Sequence, residues 1–550
     1  MINFFKQLLS AYKLILFFIF IALSSVCFLY SMRLYSSVAL FNPPKSLETI
    51  TDNLMVSTLS TQSSTTSSSI YYFDIPIDDT NNSTGIIGVP NTQNNPIAFI
   101  FHDATTTDIH SYEGFLYLVE QLTNSGYLTI SLDITSAFEL SSNEPLHFRD
   151  LYNIFINQLQ FLSNSISGNS HPYPINLTDK GDLSQVSLIG HGAGGLGAYA
   201  LSLNSFENAE ISSLLLITPQ FIDTSLNLPI PTVPTGIILS QLDGEVRSLD
   251  GQRIFDNSNL SNELTAPISI VYLYGANHNY FNELLTQDDA LKQTYVLPNS
   301  QRLSNSMQQD FLMNYASDFL NFYHSQLDIN IGLDSALLSP NTLYSYPVLT
   351  SLMTPASLKI INPTNIDSET TNALGGETST YNASISFLTE SYMAPYDNAI
   401  GFQHPGLPEA LGLIKLSWSV TSGTFTTAIP CNLMDISDYN SLSLWIALDP
   451  TDDLNKAYDS QSFVLQLKDS SKKVEQIILD GNSIALQKQA GELVTSNYQS
   501  QWSTFTPLSN IRIPLELFTQ VDLTQIESLT IQFNQNNTGS IFIGDISLLR

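Results

Sequence analysis

Four short stretches place residues able to do chemistry directly after an apolar run. His102-Asp103 follows residues 96–101. Gly190-His191-Gly192-Ala193-Gly194 follows residues 186–189. Gln241-Leu242-Asp243-Gly244 follows residues 236–239, and Gly275-Ala276-Asn277-His278 follows residues 268–274. An imidazole exchanges protons near neutral pH, and a carboxylate can orient it. A glycine-rich turn lets backbone N–H groups come close to a charge. Taken singly, each stretch has a plainer reading: a polar loop-end Asp, a loop His satisfied by its neighbours, a tight turn. No set of His, Asp and Glu stands out at metal-ligand spacing. The two cysteines, Cys27 and Cys431, lie far apart. No cofactor, no metal and no disulfide framework are therefore expected.

These residues can act together only if strands deliver them to one edge. Short apolar runs at 96–101, 127–132, 186–189, 214–217, 236–239 and 268–274 read as buried strands. Between them, apolar residues recur at helical spacing over 112–122 and 151–162, and from Gly195 onward. A last helix is expected over 304–324, with Ser304 as its N-cap. Strands alternating with helices predict a doubly wound, mostly parallel α/β sheet covered on both faces. In such sheets chemistry lies beyond the carboxyl ends of the strands, where all four stretches fall.

Four sites in this order make residues 71–326 resemble an α/β-hydrolase. The segments SQLDGEVRSLDGQRIFD and YGANHNYFN are similar to secreted bacterial α/β-hydrolases with a C-terminal β domain. The resemblance implies an acid at Asp243, a histidine at His278, and an oxyanion hole from the N–H groups of Ala193 and the turn Asp103-Ala104-Thr105. It also shows two departures. The family's nucleophile, usually Ser in G-x-S-x-G, falls on Gly192, which has no side chain; Ser187 lies five positions back, inside the strand. The oxyanion turn usually reads His-Gly, and here it is His102-Asp103. A carboxylate facing that hole would repel developing negative charge; one turned to solvent would not. The link over 219–235 is short and contains prolines, so no large cap domain is expected and the cleft should be open. The resemblance carries ester hydrolysis, but with Gly192 vacant the expectation is a non-catalytic fold that binds a ligand or glycan. The alternative is an ester hydrolase in which Asp243 holds His278 as general base on a water beside Gly192. Lone oxyanion holes and binding can retain about 10³–10⁴-fold catalysis over water. A purely structural surface protein is a third option.

Beyond residue 353 the pattern changes to period two. Ile414, Leu416, Trp418 and Val420 alternate, as do Leu442, Leu444, Ile446 and Leu448, then Phe463, Leu465 and Leu467, then Leu529, Ile531 and Phe533. This predicts a β-sandwich. The last 38 residues, from Ile513 on, resemble the final strands of galactose-binding-like jelly rolls, which often bind carbohydrate. Trp418 shares its strand's apolar face and is expected in the core. Trp445 points opposite to Leu444 and Ile446, where it could be exposed and stack on a sugar, or pack under a loop. Cys431 reads as a lone thiol.

The 550-residue chain carries 50 acidic and 19 basic residues, a formal net charge of -31. That field repels phosphate backbones, so nucleic acid is excluded as a natural partner. Residues 14–30 (LILFFIFIALSSVCFLY) are uncharged and near the minimum for a spanning helix. An N-terminal transmembrane helix is expected, its tip cytoplasmic and the bulk extracytoplasmic; secretion after cleavage near Ser37-Val38-Ala39 is the alternative. Residues 57–69 (STLSTQSSTTSSS) read as a flexible stalk. The expected organisation is 1–45 tip and anchor, 46–70 Ser/Thr-rich linker, 71–330 hydrolase-like domain, 331–352 connector and 353–550 β-sandwich domain.

Overall fold

The computed structural model describes residues 69–77, 81–104, 109–138, 146–221, 229–261, 264–292, 296–325, 329–389, 412–495 and 500–550. The expected membrane helix over 14–30 and the stalk over 57–68 lie outside these residues. Among the described residues, no helix is long and apolar enough to cross a membrane.

The first ten strands form one mixed sheet: β1 (Ser69–Pro76), β2 (Asn82–Val89), β3 (Asn95–Phe101), β4 (Leu128–Leu132), β5 (Gly181–His191), β6 (Ile211–Ile217), β7 (Thr235–Ser240), β8 (Ile268–Leu273), β9 (Thr342–Leu343) and β10 (Tyr346–Met353). Their spatial order is β1-β2-β4-β3-β5-β6-β7-β8-β10-β9. The six strands from β4 to β8 in that order are parallel, and β2 and β10 flank them antiparallel. The parallel strands are apolar runs buried on both faces, as the sequence predicts. Helices α1 (Leu116–Asn124), α2 (Phe148–Ile166), α3 (Gly192–Ser202), α4 (Gln252–Leu260) and α5 (Asn305–His324) complete this part. Side chains of α1 and α5 pack with Ile100, Ile189 and Ile238 on one face; those of α2, α3 and α4 pack with Phe99, Leu188 and Ile237 on the other. The Ser304 hydroxyl accepts from the Met307 N–H, as its N-cap assignment predicts.

The strand order reverses at β3. Its chain successor β4 lies on one side and β5 on the other. Such a switch point opens a crevice at the strands' carboxyl ends. Asp103 leaves β3 there, and Gly192 follows the end of β5.

The sequence reading changes in three places. Strands β1 and β2 extend the sheet ahead of residue 96, because Gly85 and Gly88 interrupt the apolar pattern of β2. Helix α4 was not legible, since Arg253, Asp256, Asn257, Ser258 and Asn259 dilute its apolar face. The connector over 331–352 holds β10, which pairs with β8 in register from Val348 with Leu273 to Met353 with Ile268.

The remaining strands are antiparallel: β11 (Leu358–Ile361), β12 (Thr378–Tyr381), β13 (Ala383–Thr389), β14 (Gly412–Trp418), β15 (Gly423–Ala428), β16 (Ser441–Leu448), β17 (Phe463–Asp469), β18 (Val474–Leu479), β19 (Leu493–Thr495), β20 (Ser500–Trp502), β21 (Ser509–Pro514), β22 (Ile526–Phe533) and β23 (Gly539–Leu549). One sheet runs β13-β14-β23-β16-β21 with β11 also on β23; a second runs β12-β15-β22-β17-β18. Their inner side chains meet: Trp418 of β14 stacks on Phe533 of β22 at 4.1 Å between ring centroids. Trp418 is core, as expected. Trp445 is fully buried: of its two readings the packed one holds, with helix α4 in place of a loop, its ring 5.6 Å between centroids from that of Phe255. Cys431 is exposed with a free thiol.

The described residues, from Ser69 to Arg550, cohere as one unit. The Leu352 N–H donates to Asn510 Oδ1 at 2.5 Å, and Tyr274 Oη to Gln489 Oε1 at 2.5 Å. Arg512, fully buried, donates to the carbonyls of Gly332 and Leu337.

Candidate functional site: an imidazole between two carboxylates

The turn from β5 into α3 is tight because its residues are small. A Cβ on Gly194 would lie 2.2 Å from the His102 carbonyl oxygen, so only glycine lets this helix approach β3 so closely. Gly192 has φ +55°, a left-handed conformation at the first residue of the helix. The turn thus aims the Cα–Cβ direction of residue 192 into the crevice.

That direction is already occupied. A Cβ on Gly192 would lie 2.2 Å from Asp103 Cγ and 2.2 Å from its Oδ1. Asp103 Oδ1 accepts the Ala193 N–H at 2.6 Å and the Ala104 N–H at 2.8 Å. Its Oδ2 lies 2.9 Å from His278 Nε2. The carboxylate turns inward, not to solvent, and its side chain is 13% exposed. It takes up the N–H groups of Ala193 and Ala104 and the room beside Gly192 at once. The partial positive charge at the N-terminus of α3 favours an anion there.

His278 is held from its other side by Asp243, Nδ1 to Oδ2 at 3.1 Å, with both side chains 1% exposed. Asp243 Oδ1 accepts the N–H groups of Glu245 and Val246, which curl the loop after β7. Burial alone would push the His278 pKa down. The charges and hydrogen bonds of Asp243 and Asp103 outweigh it and hold the pKa well above 6.5. Burial likewise works to raise Asp103, but the hydrogen bond and charge of His278 prevail and lower it to about 2. At neutral pH the arrangement is a carboxylate, an imidazolium and a second carboxylate in a row.

Two contributors were not read from the sequence. Asp289 is fully buried; its Oδ2 accepts the N–H groups of Gly244 and His278, and its Oδ1 that of Asn279. It clamps the loop carrying Asp243 to the loop carrying His278. Its only sequence signal is an Asp-Asp pair in a polar stretch, which gives no hint of burial. His191 lies tilted by 33° against His278, 4.6 Å between ring centroids, and its Nε2 meets the His278 carbonyl at 3.0 Å. Burial and the charge of His278 lower its pKa to about 4, so it stays neutral. Its Nδ1 has no partner.

Asp103, His191 and His278 each present a ligand atom within 4.8 Å of the others. They are the described residues best placed to hold a metal ion, although Oδ2 of Asp103 and Nε2 of His278 already face each other. The residues expected at the site, Asp103, Ala104, Gly192, Ala193, Asp243 and His278, all converge. Trp445 does not: it lies in the other part of the chain against α4. The expected link over 219–235 falls partly outside the described residues, at 222–228. No family model matches this chain, and no match is found among curated proteins.

Proposed function

We propose that this chain is a membrane-anchored, extracytoplasmic protein of α/β-hydrolase fold with a C-terminal β-sandwich, retired from serine-hydrolase catalysis and acting by binding a ligand or glycan. The glycine-rich strand-to-helix turn, followed in chain order by an acid and a histidine, supports the fold reading. One observation carries the functional reading: the Asp103 carboxylate fills both the nucleophile's place at Gly192 and the pair of N–H groups that an oxyanion would need.

The chemistry of that arrangement is inhibitory. An ester carbonyl would have to displace Asp103 from Ala193 and Ala104, breaking a buried ion pair worth about 3–5 kcal/mol when one partner is lost. That alone slows acyl chemistry by roughly 10² to 5 × 10³-fold. His278, protonated and bonded at Nε2, has no lone pair with which to draw a proton from water. The Asp243–His278 bond favours the alternative reading, a water-activating ester hydrolase, and Asp103 on the imidazole's other nitrogen opposes it. The anchor rests on the apolar stretch 14–30.

The test is hydrolysis of p-nitrophenyl acetate by the purified full chain beside its His278→Ala variant. Equal rates, at the level of buffer, are expected. Turnover lost in His278→Ala would replace this reading with the hydrolase one.

A further inference from the structure

One edge of the second antiparallel sheet is open. That sheet ends at β18, and among the described residues no strand pairs with the outer side of β18. The strand reads Val474-Glu475-Gln476-Ile477-Ile478-Leu479 and pairs with β17 in unbroken register, from Lys468 with Val474 to Phe463 with Leu479. We propose that β18 pairs antiparallel with β18 of a second copy of this chain, about a two-fold axis through Gln476. The inference goes beyond the reading of the Asp103–His278 site and does not depend on it.

The backbone decides which residues can pair. In an antiparallel ladder, successive residues turn their N–H and C=O alternately to one neighbour and to the other. The Asp469 N–H donates to the Lys473 carbonyl at 3.0 Å, so Lys473 turns toward β17. By alternation Glu475, Ile477 and Leu479 do the same, while Val474, Gln476 and Ile478 turn their backbone groups to the open side. An axis through Gln476 sets Gln476 opposite itself and Val474 opposite Ile478 of the second copy. Every such pair joins two outward-turned residues, which closes the contact with about six N–H···O bonds. A slip by one residue would oppose outward-turned to inward-turned residues and put their side chains on opposite faces.

The side chains agree with that register. Val474 is 41% exposed and Ile478 61%, and both share the outer face of the sheet with Gln476. In the pair, each Val474 lies beside an Ile478, and an uncharged amide meets its own copy, so no like charges are opposed at the centre. Lys472 and Lys473 stand at one end of β18 and Asp480 at the other. Antiparallel pairing brings the lysines of each copy to Asp480 of the other. In a chain of net charge -31, where the overall field opposes self-association, this places attraction where the copies meet. Glu475, the strand's one charged side chain, lies on the other face and accepts the Gln520 N–H at 2.6 Å. By contrast β1, at an end of the large sheet, carries Asp74 and Pro76, residue types that guard an edge. A single pair of short strands makes a small interface, so the dimer is a weak, reversible one.

Disulfide trapping tests the register. In the full chain with Cys27→Ser and Cys431→Ser, Gln476→Cys places two thiols opposite each other, within the Cα separation of about 7 Å that a disulfide allows. Ile478→Cys leaves them about 13 Å apart along the strands, although its thiol is equally exposed. Under mild oxidation at micromolar concentration, Gln476→Cys should give a covalent dimer about tenfold faster than Ile478→Cys. A mixture of Val474→Cys and Ile478→Cys chains should cross-link as a heterodimer, which tests the same register without altering Gln476. The proposal is overturned if Gln476→Cys stays monomeric, which would leave the edge to water or to a strand of another protein. It is equally overturned if Gln476→Cys and Ile478→Cys cross-link at the same rate, the result of random collision.

Discussion

Restoring a serine at position 192 should fail unless Asp103 is removed as well. In Gly192→Ser the new Cβ would arrive 2.2 Å from Asp103 Cγ and 2.6 Å from its Oδ2, well inside any tolerated contact. The carboxylate must then swing away, giving up the 2.6 Å bond from Ala193 and the 2.9 Å contact with His278. Disrupting such a pair destabilises by about 3–5 kcal/mol. The single variant should therefore unfold at markedly lower urea concentration and hydrolyse p-nitrophenyl acetate little above buffer. In Asp103→Gly/Gly192→Ser the space is free, the N–H groups of Ala193 and Ala104 are released to face the reacting carbonyl, and His278 keeps Asp243. One regained oxyanion donor is worth roughly 10²–10³ in rate. The double variant should thus exceed Gly192→Ser by at least about 100-fold and release a burst of nitrophenolate as the acyl-enzyme forms. Equal activity of the single and double variants would refute the claim that Asp103 blocks this place. A folded but inactive double variant would refute the claim that the rest of the constellation is assembled.

Other outcomes follow from the same geometry. His191, neutral with a folded pKa of about 4 against 6.5 unfolded, makes the unfolded chain the better proton binder between those values; its contribution should fall by about 3 kcal/mol as pH drops from 6.5 to 4, and His191→Gln should flatten urea midpoints across that window relative to wild type. The Asp103 contribution, complete above pH 3.8, should disappear as pH falls towards 2, whereas that of His278, complete below pH 6.5, should be lost only as pH rises through its elevated folded value. Asp289→Ala strips three backbone N–H groups of an anionic acceptor and should lower stability by about 3 kcal/mol, with loss of the low-field proton resonance of His278 in NMR spectra. Trp418→Ala removes the ring stacked on Phe533 and should lower the unfolding free energy by about 3–5 kcal/mol in urea titrations.

The parallel part of the fold was legible because each buried strand is an unbroken apolar run ending in a polar turn. Residues 96–101, 214–217 and 268–274 announce themselves in this way. The positions of Asp243, His278 and Gly192 were legible for the same reason, since each follows such a run. What one chain position does to another across the crevice was not. The orientation of Asp103 depends on two N–H groups and an imidazole drawn together across the crevice, so local pattern left it open. The environment of Trp445 stayed open for a related reason. Alternation correctly put it on the outer face of its sheet, but a sheet's outer face is exposed only if nothing packs on it. Helix α4, hidden by its polar composition, covers it. The clamp by Asp289 was invisible because its partners are backbone groups, which leave no mark in sequence.

The antiparallel strand β10 bears on how the chain is synthesised. It closes one side of the large sheet by pairing with β8, yet it comes after the long helix α5. Until residue 353 leaves the ribosome, β8 presents an open row of donors and acceptors to any neighbouring nascent chain. Expression boundaries set at residue 330, where the helical pattern ends, would preserve that exposure permanently and invite aggregation. Boundaries set after residue 353 would cover β8 but cut β10 from its bond to Asn510. The two parts therefore mature as a pair, with the second half of translation finishing the first half's sheet.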